Sequence, residues 1–240
     1  MTSVAAALRS SVGKKYLMAL SGLIWFGFAV GHLTGNYLIL AGREAFDTYA
    51  QFLVTLGHGK GIYLAEFALV IVLITHVWNG IQVAFFDKKN ARPQGYAVAG
   101  NAGGKSRKSF RSQSMIWTGL LLLGFIIFHI LTLKFGPKEM HTLPHAFEQT
   151  EDLYGLVVKR FSEGWYVAVY VLAMTALGTH LSHGLWSSLQ SLGLLNRRSY
   201  PAAATLGTVV AVVLALGFVA LPLMVFTWNE KFAAGNGGLF

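Results

Sequence analysis

The sequence predicts an all-α membrane protein with five transmembrane helices, four of them forming an up-down bundle. Three observations predict it. Of the 240 residues, 54% are hydrophobic and only 12% are charged, whereas a soluble domain carries roughly 25% charge. Five stretches are long and apolar enough to cross a bilayer, which takes about 20 residues. Four of those stretches, and not the fifth, carry a histidine well inside the apolar run.

The spans are expected at about 15–40, 61–87, 112–134, 163–190 and 201–228, within one transmembrane domain over 1–240. That leaves no room for a soluble domain of normal size. The first span follows Lys14 and Lys15 and contains His32. Its lead-in reads as amphipathic, because the apolar run is too long for a signal peptide and lacks a convincing cleavage site. The second span contains Glu66, the only acidic residue well inside a helix, and then His76 and Gly80. The third contains His129 and the fourth His180, His183 and Gly184. The fifth is apolar throughout.

The formal charge of +9 could point to nucleic acid, but its distribution points to topology. An odd number of crossings puts the termini on opposite sides. One side gathers Arg9, Lys14, Lys15, Lys88, Lys89, Arg92, Lys105, Arg107, Lys108, Arg111, Arg197 and Arg198, with Asp87 its only acid. The other side offsets Arg43, Lys60, Lys134, Lys138, Lys159, Arg160 and Lys231 with Glu44, Asp47, Glu139, Glu148, Glu151, Asp152, Glu163 and Glu230. Lys and Arg accumulate on the cytoplasmic side, so the N-terminus is expected inside. The basic loop at 88–111 also offers a docking surface to an acidic partner or anionic lipid.

The chain has no cysteine. This excludes disulfides, cysteine-ligated iron–sulfur clusters and covalent CxxCH haem attachment, and leaves histidine as the metal ligand. A histidine inside a membrane helix is costly and marks a functional site by default. Depth sorts the four. At about 1.5 Å of rise per residue, His32 and His129 lie roughly 26 and 27 Å from the basic side. His76 and His180 lie about 18 and 16 Å from it. An outer pair and an inner pair result, and two histidines at one depth on facing helices are what a six-coordinate haem needs. Bundle cores commonly host cofactors in this way.

Local repeats support the pairing. GLIWFGFAVGH and GLLLLGFIIFH surround the outer pair, with Gly22 and Gly27, then Gly119 and Gly124, at matching places. THVWNG and THLSHG surround the inner pair, and Gly80 and Gly184 each follow the histidine by four residues on the same helix face. Glycine there clears space for a flat macrocycle; the plainer reading is that small residues let helices pack closely. A lone histidine could simply bond across helices, and zinc would gather three or four ligands at one depth. His183 competes with His180 for the inner site and otherwise serves a propionate or a neighbouring helix. His58, His141 and His145 fall in loops or at a helix edge, the last two reading as solvated.

The blocks GHLTGNYLILAGREAFDTYAQF, THVWNGIQVAFFDKKNARP, GFIIFHI and THLSHGLWSSLQSLG resemble the cytochrome b membrane anchor of succinate:quinone oxidoreductases, in its one-chain, five-helix, di-haem b558 type. The resemblance covers nearly the whole chain. It implies a bundle around two haem b groups, with axial ligands pairing first helix with third and second with fourth. His76 and His180 would then hold the inner, proximal haem, and His32 and His129 the outer, distal one. It implies a flavoprotein subunit that oxidises succinate and an iron–sulfur subunit, both docked on the cytoplasmic face of a prokaryotic inner membrane, with menaquinone as the acceptor. It leaves open the physiological direction, as some members run as fumarate reductases, and whether the complex forms a higher oligomer.

Glu66 is the expected proton relay or quinone hydrogen-bond partner near the outer haem, against a structural bond to a neighbouring helix or propionate. Glu44 and Asp47 are weaker candidates. Lys14, Lys15, Ser21 and Arg111 are possible propionate partners. Two alternatives stand beside this reading. One is a di-haem anchor of another quinone-linked enzyme, such as a formate dehydrogenase or hydrogenase. The other is a haem-free transporter relaying protons through its histidines and Glu66.

Overall fold

The computed structural model describes residues 3–87, 109–142, 149–235 and 237. Lys88, Lys89, Arg92, Lys105, Arg107 and Lys108 of the basic loop lie outside the described residues, as do His145 and Glu148.

Among the described residues, five helical segments are long and apolar enough to cross a membrane: Ser11–Ala41, Gly61–Asp87, Phe110–Lys134, Gly164–Ser191 and Tyr200–Thr227. A short helix α1 (Val4–Arg9) is capped by the Ser3 hydroxyl, which accepts from the Ala6 N–H. It leads into α2 (Ser11–Asn36), which tightens into a 3-10 segment at Tyr37–Ala41. Next come α3 (Arg43–Thr55), α4 (Gly61–Ile81) and α5 (Phe110–His129). Both α4 and α5 run on into a π-helical turn, at Gln82–Asp87 and Ile130–Lys134. Strands β1 (Met140–Thr142) and β2 (Gln149–Glu151) pair antiparallel. Helices α6 (Leu153–Phe161), α7 (Gly164–Ser191), α8 (Tyr200–Thr227) and α9 (Asn229–Ala233) complete the chain.

The fold is helical with five spans, as expected, but the stretches read as loops hold structure. Helices α3 and α6 and the two-stranded ribbon are too short or too polar to register as spans, and three-residue strands carry no usable periodicity.

The chain divides into two compact units, with dividing lines inside the long helices. The first comprises 1–26, 70–120 and 177–212. In it Lys14 bonds Asp87 at 2.6 Å and Arg111 bonds the Thr208 hydroxyl at 2.8 Å. Ala19, Ser21, Asn79, Ser182 and Ala211 are buried. Small and hydroxyl-bearing residues inside let the helices approach closely, while Ile74, Trp78, Trp117 and Leu206 face outward, as lipid-facing side chains do.

The second unit comprises 27–69, 121–176 and 213–240. Its core gathers Ile39, Phe46, Tyr154, Phe161, Tyr166 and Phe232. Two carboxylates serve the start of α6, whose first N–H groups have no partner within the helix. Asp47 accepts from Tyr154 N at 2.9 Å and Asp152 from Gly155 N at 2.7 Å. Arg43 forms an ion pair with Asp152, and the Tyr154 hydroxyl donates to the Phe232 carbonyl at 3.0 Å. Asp47 is fully buried. Burial pushes its carboxyl above the usual carboxylate range, and the Tyr154 N–H pulls the other way. The His141 Nε2 lies 3.5 Å from Asp47 Oδ2. The expectation that His141 is a solvated loop residue is therefore overturned: strand β1 carries it onto the buried carboxylate. Asp47, His141 and Asp152 could in geometry approach one metal ion. Arg43 and Gly155 already engage both Asp152 oxygens, so the cluster reads as a clasp joining α3, β1 and α6.

Candidate metal centres: two histidine pairs

Each unit holds one histidine pair. In the second unit, α2 supplies His32 and α5 supplies His129, with ring centroids 5.8 Å apart and planes 86° to one another. In the first, α4 supplies His76 and α7 supplies His180, 6.3 Å apart at 65°. First crossing thus meets third, and second meets fourth. An imidazole nitrogen binds a metal at about 2 Å, so two rings on opposite sides of one ion have centres roughly 6 Å apart. Both pairs fit that separation.

Three of the Nδ1 atoms have partners. His76 Nδ1 lies 3.1 Å from the Met18 carbonyl, which can only accept, and 3.4 Å from Ser21 Oγ. His180 Nδ1 lies 3.1 Å from Thr118 Oγ1. Thr118 already directs its proton to the Ser114 carbonyl at 3.0 Å, or to that of Met115 at 3.2 Å. His129 Nδ1 lies 2.8 Å from the Tyr170 hydroxyl. A hydrogen bond at one ring nitrogen sets the tautomer and leaves the other as the ligand, so these three histidines offer Nε2. His32 instead stacks on Phe28, with centroids 5.3 Å apart, and lies beside Phe218.

The repeated glycines do different jobs. A Cβ built on Gly22 falls 3.0 Å from His76 Cε1, and one on Gly119 falls 3.3 Å from His180 Cε1. Within the first unit these two glycines seat the rings of the inner pair. Nothing lies within 4 Å of a Cβ at Gly27 or Gly124. Gly80 and Gly184 meet only methionine tips, Met18 Sδ at 3.8 Å and Met115 Cε at 4.0 Å. The donor set therefore suits a porphyrin iron: paired imidazoles, no carboxylate hydrogen-bonded to those rings among the described residues, and glycines beside the His76/His180 pair.

His183 does not join the pair; it packs edge-on against Trp186 at 4.7 Å. His58 occupies the turn after α3 in the left-handed region, at φ 56°. Glu66 forms an ion pair with Lys134 on the neighbouring span. Of the possible propionate partners, Lys14 is paired with Asp87 and Arg111 bonds Thr208; Ser21 directs its proton to the Leu17 carbonyl at 2.6 Å. Sequence reasoning missed the Tyr166 and Tyr170 hydroxyls and the Met18–Ser21 and Met115–Thr118 supports. A signal was present: Met18 and Met115, and Ser21 and Thr118, share the offset that separates His32 from His129.

The fold and these pairs define a multi-pass helical membrane protein with two facing histidine pairs. Residues 16–102 match the family described as the succinate dehydrogenase/fumarate reductase transmembrane subunit. The chain is 24% identical over 179 residues, 74% of its own length and 78% of the relative's, to the succinate dehydrogenase cytochrome b558 subunit of Bacillus subtilis (strain 168). No solved structure matches significantly. Both likenesses are to membrane subunits of succinate dehydrogenase/fumarate reductase.

Proposed function

We propose that this chain is the di-haem cytochrome b anchor of a succinate:menaquinone oxidoreductase, carrying electrons from an iron–sulfur subunit to membrane quinone. The observation that supports it most is the pairing itself: two imidazole couples, each with the separation of rings flanking one metal ion. His32 and His129 would hold one haem b, and His76 and His180 the other. Haem held by these two pairs would supply one-electron carriers suited to electron transfer.

The chain's residues do the rest. The Met18 carbonyl and Thr118 hold the inner imidazoles at Nδ1, and Gly22 and Gly119 give those rings room. Gly80 and Gly184 are assigned to clearance of the macrocycle. Glu66, ion-paired with Lys134, is the quinone or proton candidate; a carboxylate inside a span is costly and marks function. The flavoprotein and iron–sulfur subunits dock on the cytoplasmic face of a prokaryotic inner membrane. That face carries the N-terminus: the described residues of the first unit include Arg9, Lys14, Lys15, Arg111, Arg197 and Arg198 against Asp87 alone, the bias expected of a cytoplasmic side.

The test is isolation of the tagged chain from its native membrane. A flavoprotein and an iron–sulfur protein are expected to copurify, and succinate is expected to reduce a b-type absorption band. Copurification of a molybdenum or nickel enzyme would reassign the partner. A dithionite-reduced spectrum without a b-type band would favour the transporter.

A further inference from the structure

The second unit contains a hydrogen-bond chain whose direction can be read from one end. The Thr132 hydroxyl lies 2.8 Å from the Phe128 carbonyl and 3.4 Å from that of His129. Carbonyls only accept, so Thr132 spends its proton there. Its oxygen, 2.7 Å from the Tyr166 hydroxyl, therefore accepts from Tyr166. Tyr166 has one proton, so its 3.2 Å contact with Tyr170 is a bond donated by Tyr170. Tyr170 then has no proton left for His129. The 2.8 Å bond between them must be donated by His129 Nδ1.

Helical spacing builds this chain. Tyr166 and Tyr170 are four apart on α7, and His129 and Thr132 three apart on α5 and its π turn, so each couple shares a face. Tyr166 is fully buried and Tyr170 nearly so, which shields the chain from water that could reverse it. The first unit reaches the same tautomer by shorter means, a carbonyl for His76 and a single threonine for His180.

We infer that Tyr170, Tyr166 and Thr132 are positioning residues for His129: they fix its proton on Nδ1 and set the donor strength of the nitrogen that faces the metal. The inference rests on the haem reading above. An acceptor on the outer ring nitrogen raises ligand basicity, and a more basic ligand favours ferric iron. Removing the acceptor weakens the ligand and raises the midpoint potential.

The experiment is a redox titration of the purified complex, followed by optical and electron paramagnetic resonance spectra that resolve the two haems. Tyr170→Phe is expected to raise the midpoint of the His32/His129 haem by about tenfold in its reduction equilibrium, about 59 mV for one electron. The other haem stays put. Thr132→Val, which keeps the side-chain volume, gives a smaller upward shift in the same haem and carries the test if Tyr170→Phe fails to hold haem. Thr118→Val moves only the His76/His180 haem. Two haems with unmoved potentials in Tyr170→Phe and Thr132→Val would overturn the inference and leave the haem reading standing. A wild-type complex lacking the His32/His129 haem would overturn both.

Discussion

His180→Ala is expected to lower the haem content of the purified complex from two per chain to one. The substitution removes the imidazole that faces His76 across 6.3 Å, together with its bond to Thr118. His76 alone offers a single ligand at that site. The His32/His129 couple belongs to the other compact unit, so its haem should survive. His76→Ala should remove the same spectral component as His180→Ala. His32→Ala and His129→Ala should both remove the other. Loss of one shared component by His32→Ala and His76→Ala would show that the pairing is wrong.

The second large effect comes from a residue with no chemistry of its own. Gly22→Leu is expected to eliminate the His76/His180 haem while the histidines remain. Even a Cβ at Gly22 sits 3.0 Å from His76 Cε1 and 3.3 Å from its Nδ1. The rest of a leucine must push the ring aside. Overpacking costs about 1–3 kcal/mol, and displacing the ring also breaks its bond to the Met18 carbonyl, about 1 kcal/mol more. Gly22→Ala should give a graded version, a perturbed spectrum with haem retained. Gly119→Leu should act on the same haem through His180. Haem content and thermal stability of each variant are the readouts; a Gly22→Leu complex with both haems and an unaltered spectrum would remove the steric argument.

The spans were legible because about 20 consecutive apolar residues carry a signal that needs no partner. The histidines sort into pairs by depth because rise per residue is fixed and flanking charges mark the membrane edges. What escaped was whatever depends on a second element. Asp47 read as a weak quinone candidate, yet it caps the first turn of α6, far along the chain. His141 read as solvated, yet a ribbon too short to show periodicity carries it to Asp47. Gly22 and Gly119 sat beside the outer histidines in the repeat, but each contacts an inner one. The tyrosine chain was hidden for the same reason: Tyr in an apolar helix reads as interface or packing, and only the facing Thr132 and His129 show what its hydroxyls do. Glu66 stood out as the lone intramembrane acid; its ion pair with Lys134 joins two spans that no local pattern links.

Each pair of imidazoles from alternate crossings is proposed to hold one haem. Pyridine haemochrome analysis of the purified complex, set against the chain's concentration from amino-acid analysis, counts them. Two b-type haems per chain are expected; a count of zero or one would mean that at least one pair holds none.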